Sequence, residues 1–228
     1  MTSREIEQEM LSYYNERAEE HDLVYMGKGP ALQQYSDEYK KDVAEISGMA
    51  SGFGRGEAID IACGTGFWAP YYAPNCNHVT FVDQSANMLS ECKKRVGALQ
   101  SPMPPHFFQG NFFDIELSKS AFDCALVGFF LSHFVSEQEE AFFAKLKGIL
   151  RLPAELMIID SAWNEKREKH CQKSGVVERV LENGRKFRIY KKYFDQSEIH
   201  KMLKEYGYAV RALYVGDMLI AGVAERVN

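Results

Sequence analysis

The chain has 228 residues, of which 46% are hydrophobic, 13% aromatic and 26% charged, with a net charge of −5. That size favours one large domain, needs no staples to hold its core, and its composition excludes a disordered chain, a collagen and a coiled coil. The acidic balance argues against broad nucleic-acid binding while permitting a local basic patch.

The amino terminus is polar and acidic, unlike a signal or transit peptide. The longest apolar stretch, residues 124–131, is under half a membrane span. Five cysteines at no metal-binding spacing predict reduced thiols in a cytoplasmic protein. Ile6, Met10 and Tyr13 or Tyr14 fall at helical spacing, as do Tyr35, Tyr39, Val43 and Ile46 after a break at Gly27-Lys-Gly-Pro30. Residues 1–50 are therefore expected to be helical.

Ser51-Gly-Phe-Gly-Arg-Gly56 marks a boundary. Beyond it, short apolar runs at 58–62, 78–82, 106–109, 122–127 and 155–159 are separated by helical segments, the pattern of βαβ units and a parallel sheet. Leu89, Cys92, Val96 and Leu99 form a stripe behind Ser85 as N-cap. Ser136 and Glu139 read as a capping box ahead of Phe142, Phe143, Leu146, Ile149 and Leu150, with Pro153 closing the segment. Asp195 and Glu198 repeat the device before Ile199, Met202, Leu203 and Tyr206, and Gly207 supplies the stop. The last two runs, 208–215 and 218–224, are separated only by Gly216-Asp217, which predicts a hairpin and an antiparallel final strand. Residues 161–194 carry ten Lys or Arg against four Glu, a local charge of +6, and contain Asn183-Gly184 between runs at 176–182 and 185–191. They read as a β-hairpin insertion whose lysines guard an exposed edge; attraction of an anionic substrate is the other reading.

Ala58-Ile-Asp-Ile-Ala-Cys-Gly-Thr-Gly66 is a buried strand running into a glycine turn that opens a helix. Glycines belong where the chain turns sharply and a ligand approaches bare backbone. Gly64-x-Gly66-x-x-Ala69 by itself also fits a dinucleotide fingerprint. Electrostatics separates the two readings. Asp60, four residues before Gly64, repels a pyrophosphate and attracts a cation, and S-adenosylmethionine carries a sulfonium and an ammonium but no phosphate. Asp83 ends the next strand, roughly 20 residues past the glycines, where a carboxylate takes ribose hydroxyls. A solvated strand end for Asp60 and an N-cap for Asp83 are the plain structural alternatives.

Asp60-x-x-Cys-Gly-Thr-Gly66, Phe81-Val-Asp-Gln-Ser-Ala-Asn-Met-Leu89, Gln109-Gly-Asn-Phe-Phe-Asp114 and Phe122-Asp-Cys-Ala-Leu-Val127 resemble the successive motifs of class I S-adenosylmethionine-dependent methyltransferases. The likeness covers residues 56 to about 160, and the final hairpin extends it. It implies an α/β fold with a Rossmann-like seven-stranded sheet, mostly parallel with an antiparallel C-terminal hairpin. It divides the chain into an N-terminal helical lid at 1–50 and a methyltransferase domain at 51–228 that holds the 161–194 insertion. It also implies that Gly64 and Gly66 let the cofactor's methionine moiety lie on backbone, with Asp60 and the Ala62 carbonyl near its ammonium. Asp83 would hold the ribose, and Gln84 and Met88 would flank adenine. Asn111 stands where the family usually has an acid that accepts from the adenine amino group; its carbonyl can still accept, and the Phe112 N–H would serve a ring nitrogen. Gly128, after the fourth strand, would offer its carbonyl to the ammonium.

Tyr14-Asn-Glu-Arg-Ala-Glu-Glu-His-Asp22 is similar to the Phe-Asp-x-x-Ala-x-x-Tyr-Asp entry motif of small-molecule methyltransferases such as the quinone C-methyltransferases, with His21 for the usual tyrosine. By that likeness Tyr14 and Arg17 lid the cofactor, Arg17 pairing its carboxylate; a plain amphipathic helix with Arg17 against Glu20 is the alternative.

Methyl transfer from a sulfonium is an in-line displacement that needs alignment, desolvation and, for some acceptors, a base. His133, just past the fourth strand, is the base candidate or else a pocket wall. Tyr13, Tyr25, Phe129, Phe130 and Trp163 are candidates to line an aromatic substrate cavity. No metal cluster is expected. The absence of an Asp/Asn-Pro-Pro-Tyr tetrapeptide after the fourth strand, where Val127-Gly-Phe-Phe130 stands, points away from nucleic acid. The expected function is methyl transfer to a small molecule, with no nucleic-acid or membrane partner. A non-catalytic S-adenosylmethionine-binding regulator and an NAD-dependent oxidoreductase are its rivals.

Overall fold

A computed structural model describes residues 3–99 and 104–226. Helices α1 (Ser3–Glu16) and α2 (Ser36–Ser51) precede strand β1 (Glu57–Ile61). There follow α3 (Ala69–Tyr72), β2 (His78–Asp83), α4 (Ala86–Gly97), β3 (His106–Gln109) and β4 (Phe122–Gly128). The chain continues through α5 (Ser136–Ile149), β5 (Leu150–Ser161), α6 (Glu165–Glu168), β6 (Ser174–Val180) and β7 (Lys186–Lys192). It closes on α7 (Gln196–Glu205), β8 (Ala209–Val215) and β9 (Leu219–Arg226). Seven strands form one sheet in the order β3-β2-β1-β4-β5-β9-β8. The first five pair in parallel, and β9 runs antiparallel to both β5 and β8.

Helices cover both faces of the sheet, which is why β1 and β2 read as unbroken apolar runs rather than alternating ones. Phe142, Phe143 and Leu146 of α5 pack with Ile199 and Leu203 of α7 on one face. Ile46 and Ala50 of α2, Tyr72, and Leu89 and Cys92 of α4 fill the other. Buried Asp42 ties α2 to the terminal hairpin, accepting from the Met218 and Leu219 amides (2.6 and 2.8 Å) and the Tyr214 hydroxyl (2.7 Å).

Two of the three helix starts follow their sequence signals. Ser85 accepts from the Met88 amide at 3.1 Å. Asp195 and Glu198 exchange reciprocal bonds of 3.0 and 2.9 Å. The start of α5 differs. Val135, in the extended conformation, takes the cap position and donates its N–H to the Gln138 side chain at 3.1 Å, so Ser136 is already the first helical residue. Glu139 instead reaches Lys192, at 2.8 Å. Nor does Pro153 close α5: the helix gives way at Leu150 to β5, and Pro153 lies where the β4–β5 register slips between Phe122 and Cys124. A residue without an N–H fits such an irregularity.

The insertion forms a separate two-stranded sheet of β6 and β7. It does not stand off as an edge. One face, Leu181, Phe187 and Ile189, packs with Tyr13 of α1, joined by Met10 and Tyr14. Asn15 at the end of α1 accepts from the Ser85 hydroxyl (2.9 Å), and its carbonyl accepts from the Asn87 side chain (2.8 Å). Helix α1 and the hairpin thus roof the carboxyl edge of β1, β2 and β4, where open α/β sheets bind ligands. Among the described residues no helix is long and apolar enough to cross a membrane.

Candidate active site

Each strand of the central trio ends in a residue the site uses. At the end of β1, Asp60 is 2% exposed, bonded by the Tyr72 hydroxyl at 2.8 Å, and pushed up to about 7 by burial. Ala62 follows in the left-handed region (φ 54°), and Phe129, just after β4, does the same (φ 55°). Two non-glycine residues held there, both at one crevice, are the strained backbone that ligand sites accumulate. At the end of β2, Asp83 accepts from the Gly64 amide (2.9 Å) and the Ser85 amide (2.8 Å), which fastens the glycine turn to the second strand. Burial raises its carboxyl to about 6.

These strand ends enclose a crevice of about 830 Å³ counted to its mouth. It brings together Asp60, Ala62, Gly64, Asp83, Gln84 and Met88 with Asn111, Phe112 and Gly128. Tyr14, Tyr25, Phe129, Phe130 and His133 close its far side. Asn111 also holds its own loop, accepting from the Phe113 amide at 3.1 Å. Gly66 does not line the crevice: a β-carbon there would sit 2.7 Å from the Cys92 sulfur, so it serves the close packing of α4 on the turn.

The entry segment is latched onto the same turn. A β-carbon at Gly64 would lie 3.5 Å from the His21 ring. Asp22 accepts from the Thr65 hydroxyl at 2.6 Å and pairs with Arg95 of α4. Burial opposes its ionisation, but the bonds from His21 and Thr65 and the Arg95 charge hold it down to about 2.

Beyond Tyr14, His21, Tyr25, Phe129 and His133 lies a second cavity of about 870 Å³, which those five residues also line. Tyr13 and Arg17 face this space, not the first crevice. Arg17 donates to the Tyr13 hydroxyl (2.8 Å) and the His21 carbonyl (3.1 Å), so it makes neither the expected contact over the glycine turn nor the pair with Glu20. Trp163 lines neither cavity; it packs on Tyr193 at the foot of the hairpin, with ring centroids 6.0 Å apart.

His133 stands in the dividing wall. Its Nδ1 lies 2.6 Å from the Tyr190 carbonyl, which can only accept, so Nδ1 carries the proton and Nε2 accepts from the Tyr14 hydroxyl at 2.6 Å. Burial, then the nearby Lys191 charge, lower the imidazole to about 3, and burial pushes the Tyr14 phenol above its usual value. Lys191 is itself buried, bonded to Asp160 (3.1 Å) and to the Ser132 hydroxyl (2.5 Å).

Lys191, Arg167 and Arg179 line this second space, with Asp160 bonded to Lys191, and none of the four is marked by a motif. A signal existed for two of them. Phe187, Ile189 and Lys191 alternate along β7, opposite Arg179, Val177 and Gly175, so two cations share the apolar face of the hairpin.

The parallel sheet with its antiparallel terminal hairpin, and the acid–glycine–acid crevice on its carboxyl edge, define a class I methyltransferase fold. Residues 58–152 match the family model described as a methyltransferase domain, which spans β1 to the start of β5. No curated protein matches the chain. Among solved structures it is similar to DhpI in complex with SAH, at 22% identity over 99% of each chain with a TM-score of 0.74. It is also similar to the 1,6-didemethyltoxoflavin N1-methyltransferase of Burkholderia thailandensis, at 14% identity over 100% of this chain and 92% of that one, TM-score 0.65. The PH0226 protein of Pyrococcus horikoshii is a third, at 16% identity over 82% and 91%, TM-score 0.64.

Proposed function

We propose that the chain transfers a methyl group from S-adenosylmethionine to a small-molecule acceptor by in-line displacement. The observation that carries the reading is the charge of the first crevice. Asp60 and Asp83 flank a bare glycine turn, and no Lys or Arg is among the residues that line it. An uncompensated carboxyl raised to about 7 favours a cationic ligand, and two such acids disfavour a pyrophosphate. Asp60 and the Ala62 and Gly128 carbonyls take the cofactor's ammonium, Gly64 bares the backbone for its methionine moiety, and Asp83 takes its ribose. Gln84, Met88, Asn111 and Phe112 surround adenine.

When bound, S-adenosylmethionine supplies an electrophilic methyl on a sulfonium. The residues of the chain do the rest. Tyr14, Tyr25, Phe129 and His133 form the wall at which the two cavities meet, and so align the acceptor and exclude water. Tyr13 shapes the acceptor cavity. The roof over the site is residues 3–35 of the 1–50 lid, because α2 flanks the sheet; residues 51–228 with their insertion are the methyltransferase domain. A crevice roofed by α1 and the hairpin suits a small molecule rather than a nucleic acid, and free thiols at all five cysteines suit the cytoplasm.

His133 acts through Tyr14, since its only free lone pair is already used there. His133→Ala is therefore expected to raise KM for the acceptor while kcat falls less than about tenfold. A kcat loss of roughly 10²–10⁴-fold at unchanged KM would instead make it a general base.

Calorimetry with S-adenosylhomocysteine and NADH tests the cofactor assignment. Micromolar binding of the first and none of the second is expected; the reverse would overturn it.

A further inference from the structure

The second cavity carries the opposite charge to the first. Arg17, Arg167, Arg179 and Lys191 line it, and no Asp or Glu does. Among the described residues, Lys191 alone of the four has an acid in contact, Asp160 at 3.1 Å. Among the described residues none of the three arginines is in an ion pair. Arg167, 4% exposed, donates to the Ala162 and Met218 carbonyls at 2.7 and 2.9 Å, which fixes it in place. Arg17, 5% exposed, reaches two neutral oxygens and leaves its buried Nε without a partner. Arg179 has one bond, to the Tyr193 hydroxyl at 3.4 Å. The neighbouring Glu20 does not answer them; its carboxylate accepts from the Glu182 amide at 3.2 Å.

Burying cations without counter-charges is costly, and the cost falls when a bound anion completes the set. Arg17 and Arg179 keep the most donors without a partner, and their planar forks match the two oxygens of a carboxylate or a phosphoryl group. The five wall residues are common to both cavities, so an anion held there lies next to the methyl donor. We propose, resting on the methyltransferase reading, that the methyl acceptor is a small anion whose carboxylate or phosphoryl group is gripped by Arg17 and Arg179 in the field of Lys191 and Arg167. The grip aims the rest of the molecule at the Tyr14–Phe129–His133 wall. A cationic acceptor is repelled from the same space.

The test uses the full chain saturated with S-adenosylhomocysteine, titrated with inorganic phosphate and with succinate, against chloride at matched ionic strength. Saturable binding of phosphate or succinate, followed by calorimetry and thermal shift, is expected, and the preferred anion tells phosphoryl from carboxylate. Arg179→Gln should weaken that binding by about tenfold or more, with Arg179→Lys intermediate, at unchanged S-adenosylhomocysteine affinity. Failure of both anions to exceed chloride, or an Arg179→Gln protein that binds them normally, overturns the proposal. Loss of S-adenosylhomocysteine binding in the wild-type protein would instead remove the methyltransferase reading beneath it.

Discussion

Asp60→Asn is expected to weaken S-adenosylmethionine binding by about 1.5–3 kcal/mol, because the substitution keeps the Tyr72 bond and the shape but removes the charge proposed to face the ammonium. The wild-type protein should show the reason in its pH dependence. In the free protein burial holds Asp60 protonated up to about 7 and Asp83 up to about 6. A cationic ligand binds the ionised forms, so affinity rises as pH climbs through this window, and binding within it releases protons. For the unliganded fold the direction is reversed: the native state keeps protons that the unfolded chain has lost, so these two groups withdraw stability as pH rises from about 4 to 7. Cofactor binding offsets that loss. Calorimetry near pH 6.5 in two buffers of different ionisation enthalpy measures the released proton, and Asp60→Asn should remove most of it. Equal, pH-independent affinity in both proteins would place the ammonium elsewhere.

The second large effect is expected from the roof. Removing residues 1–28 should abolish turnover, since Tyr14, His21 and the Asp22 latch go together, while the helix-covered sheet remains as a weakly binding core. Truncation also uncovers Leu181, Phe187 and Ile189 of the hairpin, so a gentler variant is needed beside it. Asp22→Asn weakens the tie to Arg95 and Thr65 without exposing apolar surface. A loss of about 10²-fold in kcat/KM is expected for a site loosened by this amount. Full activity in both variants would reduce the N-terminal segment to packing.

What the sequence made legible was local. Asp60, Gly64 and Asp83 lie at strand ends with fixed spacing to a turn, and the Ser85 cap and the Asp195–Glu198 box depend on residues three apart. What it hid was rotation and partnership between distant segments. The entry motif sets the spacing of Arg17 along α1 and points it at the cofactor, but the face that α1 lays on β7 turns it toward the second cavity. The hairpin lysines read as edge guards because sequence does not say that α1 covers the hairpin; that contact turns Lys191 and Arg179 inward. Asp160 was invisible within the apolar run of β5, and Trp163, three residues later, is carried past the cavity to Tyr193. The start of α5 slipped by one residue because Gln138 answers the free amide of Val135 as well as Glu139 would answer that of Ser136.

Transfer of the cofactor's methyl group to a small molecule is directly measurable. The most direct measurement incubates the full chain with methyl-labelled S-adenosylmethionine and an anion-enriched metabolite fraction, then follows label and S-adenosylhomocysteine together. Label in a small anionic product, formed in step with S-adenosylhomocysteine and reduced in Asp60→Asn at limiting cofactor, is the predicted result. Tight cofactor binding with no label transferred to any metabolite fraction would contradict it and leave a cofactor-binding protein without methyltransferase activity.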